Sequence, residues 1–390
     1  MCNRNRETET KTLYTRSGLC VKWSLRVTMQ IDQYIDKKEA SIEKIKSRVL
    51  NFEVFDFNYI PQKPLMREEV KPIVDSLLRY DKSNIPNSMV IIGSRGCGKT
   101  VAIKYLKNAL ENRTGLKLLY ANCRQLNTSF KIISGLLGLK LRGLSLNELY
   151  EKFKEAHPSK TVLVMDEVDM ISEKDKNKDI FYFLSRSEKN YMTILLSNNP
   201  RFVNSLDIPT RSSLQPEVIH FRNYNANEIK KILLERARTG LKHYNFSVLT
   251  QIAALTTQLT NSDVRVAIKT LYYWATHTER SVKECFNKAQ KDIMVDVIND
   301  LNDHNILILK AVSETKERFV KAVYERYRQL CGTKQLDAFS YVYFYSSLAY
   351  LQSLELILLF MTKVNRAYTN TIGLTFEPSI IGTIYSLRFP

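Results

Sequence analysis

The feature that most constrains this chain is a segment that fits the phosphate-binding pattern G-x-x-x-x-G-K-[ST] and reads Gly93-Ser94-Arg95-Gly96-Cys97-Gly98-Lys99-Thr100. In such a loop, glycines let successive backbone N–H groups turn toward a phosphate, and the lysine adds a positive charge. The apolar run 89–92 precedes it as a short strand, and apolar residues at helical spacing follow over 100–110. Because bound phosphates would face a helix N-terminus, the sequence predicts a nucleotide site rather than a glycine-rich turn that binds nothing.

A second apolar run ends on acidic residues and reads Thr161-Val162-Leu163-Val164-Met165-Asp166-Glu167-Val168-Asp169. This is typical of a buried parallel strand whose carboxyl end faces a ligand. Asp166 is expected to hold Mg²⁺ through water, and Glu167 to orient and polarise the attacking water. Taken alone, the run favours a strand with a solvated acidic end. Together with the phosphate loop, it predicts a site that hydrolyses a nucleotide.

Three further runs complete a predicted sheet, at residues 116–123, 192–197 and 218–221. Asn198 follows the second of them and is predicted to lie between the acidic pair and the γ-phosphate. The alternative is an asparagine that only caps the turn before Pro200. The run 116–123 lies between the phosphate loop and the acidic strand, and Glu167 directly follows Asp166. Both features resemble the additional-strand, catalytic-glutamate division of P-loop proteins.

The region after the sheet is predicted to be helical as far as about residue 301. Asn225 is a candidate N-cap with Glu228 three residues later, which indicates that a helix opens there. Within this region, Asp263-Val264-Arg265 begins another helix. Arg265 either reaches back to the phosphates or is an ordinary surface arginine, and its spacing alone leaves both interpretations open.

The C-terminal residues predict three helices and a two-stranded wing, at 303–313, 316–330, 337–354, 356–364 and 371–376. A winged helix places its third helix in the major groove of DNA and its wing along the backbone or minor groove. In the third helix, Tyr341 and neighbouring aromatic residues replace the arginines and glutamines that read base edges, which favours packing or shape recognition. The predicted DNA contacts in this region are Tyr341 and, at the wing, Lys363 and Arg366.

Charge gives weaker, supporting information about partners. The chain has 58 lysine and arginine residues against 40 aspartate and glutamate residues, a net charge of +18 and a pI near 9.5. This points first to nucleic acid, with a solubilising surface as the alternative. Six cysteines without C-x-x-C spacing predict a reducing cytoplasm, with neither structural disulfides nor zinc. We expect a cytoplasmic, nucleoid-associated protein.

No membrane segment is expected. The N-terminus lacks the apolar core of a signal peptide. The apolar stretch 339–361 carries serine, glutamine and glutamate side chains, which favours a buried helix running into a strand over a membrane span. Residues 1–28 are expected to be a disordered tail or an incorrectly assigned start, and an amphipathic helix is expected over 31–54.

In their order and spacing, these motifs resemble the AAA+ ATPases, and within them the archaeal origin-recognition or licensing type of DNA replication initiator. The resemblance runs from about Tyr59 to the C-terminus and rests on Tyr59-Ile60-Pro61, Arg67-Glu68-Glu69, the phosphate loop, residues 164–169, Ser197-Asn198-Asn199, Ser212-Ser213-Leu214, Phe221, Tyr224-Asn225-Ala226 and Asp263-Val264-Arg265. It implies an α/β fold with an AAA+ P-loop parallel sheet and a helical lid, followed by a C-terminal winged-helix domain. The implied bounds are 29–222, 223–301 and 302–390.

The resemblance implies ATP or ADP and Mg²⁺ as cofactors, with Lys99 and Thr100 serving phosphate and metal. It makes Asp166 and Glu167 the Walker B pair, with Asp166 and Thr100 at the metal. Asn198 becomes sensor 1 and Arg265 sensor 2. The implied nucleotide contacts are Tyr59, Ile60, Pro61, Gly93, Ser94, Arg95, Gly96, Cys97, Gly98, Lys99, Thr100, Tyr224, Arg236 and Arg265.

The resemblance also implies an origin-binding protein that helps recruit or load the replicative helicase on double-stranded DNA, with other initiator subunits as further partners. The family inserts a DNA-contacting helix after the second strand, and residues 132–150, including Lys140 and Arg142, occupy that place. Alternatives are another DNA-associated AAA+ ATPase, such as a transposition helper or clamp-loader subunit, and a signalling NTPase whose C-terminal module binds protein.

One departure concerns the arginine finger that family members direct at a neighbouring subunit. The chain reads Asp207-Ile208-Pro209-Thr210-Arg211 where a basic residue usually follows Asp-Pro. Arg211 is the candidate finger. Without a finger, we expect slow hydrolysis, because that charge stabilises the transition state in related P-loop enzymes.

Overall fold

The computed structural model describes residues 31, 34–36, 39, 42, 48–138, 143–158, 160–172, 175, 179–187, 191–277, 279–364 and 367–390. The predicted N-terminal tail over 1–28 lies outside these residues, as do the predicted DNA contacts Lys140, Arg142 and Arg366.

Five parallel strands form the central sheet, namely β1 (Met89–Ile92), β2 (Lys117–Asn122), β3 (Thr161–Asp166), β4 (Met192–Ser197) and β5 (Glu217–His220). Their order across the sheet is β2-β3-β4-β1-β5, so β4 separates the strand of the phosphate loop from the acidic strand. Every residue of β1, β3 and β4 is buried, as expected for a parallel sheet covered on both faces. The predicted parallel sheet is confirmed.

Helices cover both faces of this sheet, namely α1 (Val70–Ser83), α2 (Lys99–Glu111), α3 (Ser129–Leu136), α4 (Leu146–Ala156), α5 (Asp179–Arg186) and α6 (Ile208–Leu214). Side chains of β1 alternate between two apolar cores. Val90 and Ile92 belong to the core that contains Phe153 and Phe181, whereas Met89 and Ile91 pack with α1 and α2. This alternation follows from the two-residue period of a strand.

Four helices form the lid, namely α7 (Ala226–Gly240), α8 (Phe246–Leu259), α9 (Val264–Thr276) and α10 (Val282–Asn299). The predicted helix start at Asn225 is confirmed. Its side chain accepts a hydrogen bond from the Glu228 backbone, and the Glu228 carboxylate accepts one in return from the Asn225 backbone. The same reciprocal cap, formed by Ser281 and Glu284, opens α10.

The C-terminal winged helix comprises α11 (Asp303–Glu314), α12 (Val320–Thr333), α13 (Tyr341–Ser353), β6 (Ile357–Val364), β7 (Ala367–Leu374) and α14 (Pro378–Arg388). The predicted bounds shift at the start of three elements. α12 begins at Val320 rather than at residue 316, and α13 begins at Tyr341 rather than at residue 337. β7 begins at Ala367 rather than at residue 371, because its pairing with β6 extends to Val364. The final helix, α14, was not predicted. It buries Ile380, Ile381 and Ile384 in the core of this domain.

The apolar stretch 339–361 consists of α13 running into β6, as predicted. Among the described residues, no helix is long and apolar enough to span a membrane.

Two segments differ from expectation: the helix predicted over residues 31–54, and residues 132–150, which follow the second strand. The helix predicted over 31–54 does not continue to its end, since Val49 forms an antiparallel bridge with Leu241 at the end of the lid helix α7. Backbone pairing with another part of the chain therefore replaces local helical bonding. The segment 132–150 is likewise not one described helix: α3 ends at Leu136 and α4 begins at Leu146, and Gly138 and Gly143 between them have positive φ values of 67° and 86°.

Candidate functional site

The phosphate loop depends on glycine at two positions. Gly96 and Gly98 have φ values of 73° and 91°, a region that residues with a Cβ rarely adopt. A Cβ on Gly98 would lie 2.0 Å from the hydroxyl oxygen of Tyr224, and one on Gly96 would lie 2.0 Å from Oδ1 of Asp263. Two side chains of the lid, Tyr224 before α7 and Asp263 at the start of α9, thus lie against the loop.

Lys99, the first residue of α2, is buried and lies inside this loop. Its Nζ donates hydrogen bonds to the carbonyl oxygens of Gly93 and Ser94, at 2.7 and 2.9 Å. It also donates to Oδ1 of Asn198, at 3.0 Å. The ammonium group and the predicted polar side chain beyond β4 therefore meet, because β4 is the neighbour of β1 in the sheet.

Two oxygen groups that suit Mg²⁺ lie together at the end of β3. Thr100 Oγ1 donates to Oδ2 of Asp166, at 2.7 Å, and the Tyr120 hydroxyl donates to the same oxygen, also at 2.7 Å. Burial raises the pKa of Asp166, and these two hydrogen bonds oppose that effect. A hydroxyl beside a carboxylate is a suitable donor set for a hard cation, so the residues fit Mg²⁺.

Glu167 adopts a left-handed conformation with φ 55°, and its carboxylate is held by an arginine that the sequence did not predict. Arg124 donates from Nε to Oε2 of Glu167, at 2.7 Å, and from a terminal nitrogen to Oε1, at 3.2 Å. The same guanidinium donates to Asp300 beyond the end of α10, at 2.7 Å. Arg124 lies just after β2, at the carboxyl edge where parallel sheets bind ligands, and that position was the available signal.

Asp169, which ends the predicted acidic run, positions the turn after β4. One of its oxygens accepts from the Ser197 hydroxyl, at 2.8 Å, and from the Asn198 backbone, at 3.1 Å. Asn198 is therefore fixed on both sides, by Asp169 at its backbone and by Lys99 at its side chain.

These groups line a cavity of about 530 Å³ that includes Lys99, Thr100, Asp166, Glu167, Asn198 and Arg265. A second, more apolar cavity of about 430 Å³ lies beside it, between α2, the segment 61–67 and the lid helix α7. Pro61, Tyr224 and Arg236 line this second cavity. A polar chamber beside an apolar one has the amphipathic character that a nucleotide requires.

The remaining predicted nucleotide contacts lie around these chambers. Arg265 pairs with Asp263, its Nε lying 2.9 Å from Oδ1. Arg236 donates to the carbonyl oxygens of Val54 and Asp56, and its guanidinium lies 5.1 Å from the ring centre of Tyr59. Tyr59 and Ile60 are half-buried, and neither is among the residues that line the two cavities.

Arg67, the first residue of the Arg67-Glu68-Glu69 motif, connects the N-terminal segment to the loop. It is buried and donates to the carbonyl oxygens of Cys97 and Arg222, at 2.7 and 2.6 Å. Its guanidinium lies 4.5 Å from the ring centre of Tyr224, within the range of a cation–π contact.

A chain of hydrogen bonds leads from the loop to the winged helix, and the sequence did not reveal it. The Ser94 hydroxyl donates to Oδ1 of Asn223, and Asn223 donates to Oδ1 of Asn261, at 2.8 Å. Asn261 then donates to Glu355, which lies between α13 and β6. We call Ser94, Asn223, Asn261 and Glu355 the loop-to-wing relay. Burial raises the pKa of Glu355.

The predicted DNA contacts that the structure describes lie elsewhere on the winged helix. Tyr341 is 45% exposed at the start of α13, and its ring makes an edge contact with Tyr324, 5.1 Å between centres. Lys363 is exposed near the end of β6. Both therefore lie away from the nucleotide cavities.

Comparison with known proteins adds the family. A match to the family described as AAA domain spans residues 85–204. The ORC1-type DNA replication protein 1 of Sulfurisphaera tokodaii is 30% identical over 311 residues, which cover 72% of this chain and 77% of that protein. The chain belongs to the ORC1-type DNA replication protein family. The ORC1-type DNA replication protein 1 of Archaeoglobus fulgidus is 27% identical over 321 residues, which cover 74% of this chain and 78% of that protein.

Solved structures of this family share the fold. The Orc1 protein of Aeropyrum pernix, solved in complex with DNA, has a TM-score of 0.67 at 22% identity and covers 87% of this chain and 97% of its own. Cdc6p of Pyrobaculum aerophilum has a TM-score of 0.55 at 21% identity, with 88% and 100% covered. This ORC1-type chain is accordingly an archaeal-type AAA+ ATPase with a C-terminal winged helix, as the resemblance implied.

Proposed function

We propose that this ORC1-type initiator binds origin double-stranded DNA, and that ATP or ADP in its AAA+ site switches its conformation. The observation that carries the proposal is the loop-to-wing relay, since it joins the phosphate loop to the turn after α13, the helix proposed to face DNA. The output we propose is recruitment or loading of the replicative helicase, with other initiator subunits beside it on DNA. Such a partner would place the protein on the nucleoid.

We propose the following roles at the nucleotide site. Lys99 binds the β- and γ-phosphates, and Thr100 with Asp166 holds Mg²⁺, which supplies charge neutralisation when bound. Glu167 orients the attacking water, while Asn198 and Arg265 contact the γ-phosphate. The nucleobase of ATP or ADP occupies the more apolar cavity, against Pro61, Tyr224 and Arg236.

We assign the AAA+ nucleotide-binding domain to residues 29–222, the helical lid to 223–301 and the DNA-binding winged helix to 302–390. The solved complex of a similar protein with DNA supports DNA binding by this chain. Tyr341 and Lys363 are the proposed DNA contacts within the described residues, and Lys140, Arg142 and Arg366 are proposed from the sequence. We expect slow hydrolysis, because a nucleotide that sets the conformation has to stay bound and is not turned over repeatedly.

Footprinting on chromosomal origin DNA, at stated salt concentrations, tests the proposal. Wild-type protein and Lys99→Ala are compared with ATP, with ADP and without nucleotide. We expect wild type to protect origin DNA in preference to random DNA, with a pattern that changes between ATP and ADP. Lys99→Ala should lose nucleotide binding and keep a nucleotide-independent footprint.

Two outcomes would contradict the proposal. Equal affinity for origin and random DNA would favour another DNA-associated AAA+ role, such as a transposition helper or clamp-loader subunit. A footprint that is identical with ATP and ADP would remove the switch. The helicase step is checked separately, by measuring whether the organism's replicative helicase joins the origin complex only when wild-type protein and ATP are present.

A further inference from the structure

The third residue of the phosphate loop is an arginine. Arg95 lines the cavity of about 530 Å³ that also contains Lys99, Asp166 and Glu167. It lines as well an adjoining cavity of about 390 Å³, between the loop, the lid and the turn at Glu355. The Arg95 side chain thus lies at the wall where the nucleotide chamber meets the winged helix.

Arg95 differs from the other arginines around this chamber. Arg124 is bound by two carboxylates, Arg265 by Asp263, and Arg236 by two backbone carbonyl oxygens. Among the residues that the structure describes, the guanidinium of Arg95 makes no hydrogen bond and no ion pair.

The surroundings of Arg95 favour an added anion. Burial, and after it the nearby guanidinium of Arg265, lower the pKa of Arg95. A half-buried cation beside other cations is unfavourable unless it is paired. An anion in the chamber would relieve that cost, and the chamber is the one that contains Lys99.

We propose that Arg95 contacts the γ-phosphate and supplies, from the same chain, the positive charge that stabilises the transition state of hydrolysis. The inference rests on the proposed nucleotide site. In the reaction, a water oxygen bonds to the γ-phosphorus while the bond from that phosphorus to the β,γ-bridging oxygen breaks. The electron pair of the broken bond stays on ADP, and the water proton leaves to solvent through Glu167. Negative charge spreads over the γ-phosphoryl oxygens during this step, and an arginine at those oxygens lowers the barrier.

This assignment removes the need for an arginine from a neighbouring subunit. Arg211, the candidate for that role, is exposed in the last turn of the short helix α6. A charge supplied within one chain makes hydrolysis independent of protein concentration, whereas a charge supplied by a neighbour makes it depend on assembly.

Single-turnover hydrolysis, with the full chain in excess over ATP at several protein concentrations, tests the proposal. The variants are Arg95→Ala, Arg95→Gln and Arg95→Lys, with Arg113→Ala as the matched control. Arg113 is exposed beyond the far end of α2, about 20 Å of helix away from the loop. Fluorescent ADP and ATP analogues report affinity for each protein, and circular dichroism reports folding.

We expect a wild-type rate constant that does not change with protein concentration. Arg95→Ala and Arg95→Gln should lower it at least about tenfold, with Arg95→Lys between them and the wild type, because an arginine in this role supplies a large part of the acceleration. Affinity for ADP should stay within about twofold, since ADP lacks the γ-phosphate. Arg113→Ala should behave as wild type.

The alternatives are separable. If wild type hydrolyses ATP and folded Arg95→Gln does so equally fast, Arg95 has no such role and the proposed function stands. A wild-type rate that rises with concentration and falls in Arg211→Ala also overturns the assignment, in favour of a neighbouring subunit. If wild type binds neither nucleotide, the proposed function fails and the assignment of Arg95 fails with it.

Discussion

At the scale of single residues, the carboxylate that is expected to activate water is already engaged. Glu167 accepts two hydrogen bonds from Arg124, which is bound on its other side by Asp300. The guanidinium occupies one lone pair on each carboxylate oxygen and leaves another open, so it fixes the direction from which Glu167 can accept a hydrogen bond from water. We therefore expect Arg124 to act on hydrolysis through Glu167, as a positioning residue.

Replacing Arg124 by alanine should raise the rate of ATP hydrolysis by about threefold or more, because the carboxylate of Glu167, no longer held by the guanidinium, can turn toward the attacking water. Single-turnover assays measure the rate, and binding of a fluorescent ADP analogue should not change. Arg113→Ala is the control for loss of one exposed positive charge. An unchanged or lower rate in Arg124→Ala would show that Arg124 instead supports the active position of Glu167.

Whether a residue of this site could be predicted depends on how far away in the sequence its partners lie. The loop and the acidic run were predicted because each carries its chemistry within a few consecutive residues. Asn198 and Arg265 were candidates with an ordinary alternative. Arg124 was not predicted at all, since a single arginine after a strand has no pattern until the tertiary fold brings it to Glu167.

At the scale of elements, α13 has two different sides. Phe344, Leu348 and Leu351 are buried, whereas Tyr341 and Val342 are 45% and 77% exposed. The exposed side carries no charged group for base-edge recognition at those two positions, which leaves the wing as the better phosphate contact.

Lys363→Ala should weaken DNA binding similarly for origin and random sequences, because a phosphate contact carries no sequence information. The slope of log affinity against log salt concentration should fall by about one unit at most. Fluorescence anisotropy at several salt concentrations measures the slope. Lys82→Ala, which removes a lysine with an 86% exposed side chain on the AAA+ nucleotide-binding domain, is the control. A slope equal to that of wild type would exclude Lys363 as a phosphate contact.

A histidine at the contact between α11 and α12 leads us to expect a pH-dependent stability of the winged helix. His304 Nδ1 lies 2.8 Å from the Tyr327 hydroxyl, and its ring stacks on Phe339 with 4.0 Å between centres. Burial lowers the pKa of His304, so the folded state favours the neutral ring.

Because the unfolded chain binds a proton at His304 near pH 6.5 and the folded chain only at lower pH, this residue should reduce stability as the pH falls below about 6.5. His304→Gln should therefore lose less stability than wild type between pH 7.5 and pH 5.5, measured by urea unfolding. His243→Gln, at an exposed histidine, should follow wild type. Equal losses in His304→Gln and wild type would contradict the contribution of this ring.

Element prediction succeeded where the pattern was local and failed where another part of the chain intervened. Apolar runs gave the strands of the sheet, and the cap at Asn225 gave the start of α7. The N-terminal helix was predicted too long because Val49 pairs with Leu241. The residues around Val49 carry no signal of a partner so distant in the sequence. The final helix α14 buries Ile380, Ile381 and Ile384, three apolar residues that are too few to predict a helix by their spacing alone.

At the scale of the whole molecule, three contacts join the nucleotide site to the C-terminal region: a series of hydrogen bonds, an ion pair and a hydroxyl–sulfur contact. The loop-to-wing relay ends on Glu355, and Arg124 binds Asp300 just before the winged helix. The Tyr350 hydroxyl of α13 lies 3.9 Å from the sulfur of Met170, beyond the acidic run. We expect a change at the phosphate loop to reach α13 through these contacts.

Asn261→Ala interrupts the loop-to-wing relay without touching the nucleotide or DNA. We expect the ratio of DNA affinities with ATP and with ADP to move toward one by at least about threefold, because coupling between two sites is typically 5–150-fold. Nucleotide affinity should remain near that of wild type. Anisotropy titrations with each nucleotide measure the ratio, and Gln251→Ala on the exposed side of α8 is the control. A ratio unchanged in Asn261→Ala would mean that the relay does not transmit the nucleotide state.

The first link of the relay sets a competition. A serine hydroxyl carries one proton, and in this structure Ser94 gives it to Asn223. A phosphate oxygen that approached Ser94 can only accept, so it would take the same proton. Each later member accepts through its oxygen and donates through its nitrogen until the carboxylate of Glu355 ends the series. The relay thus has a direction, and we expect a phosphate bound at Ser94 to compete with Asn223 for the hydroxyl proton that starts it.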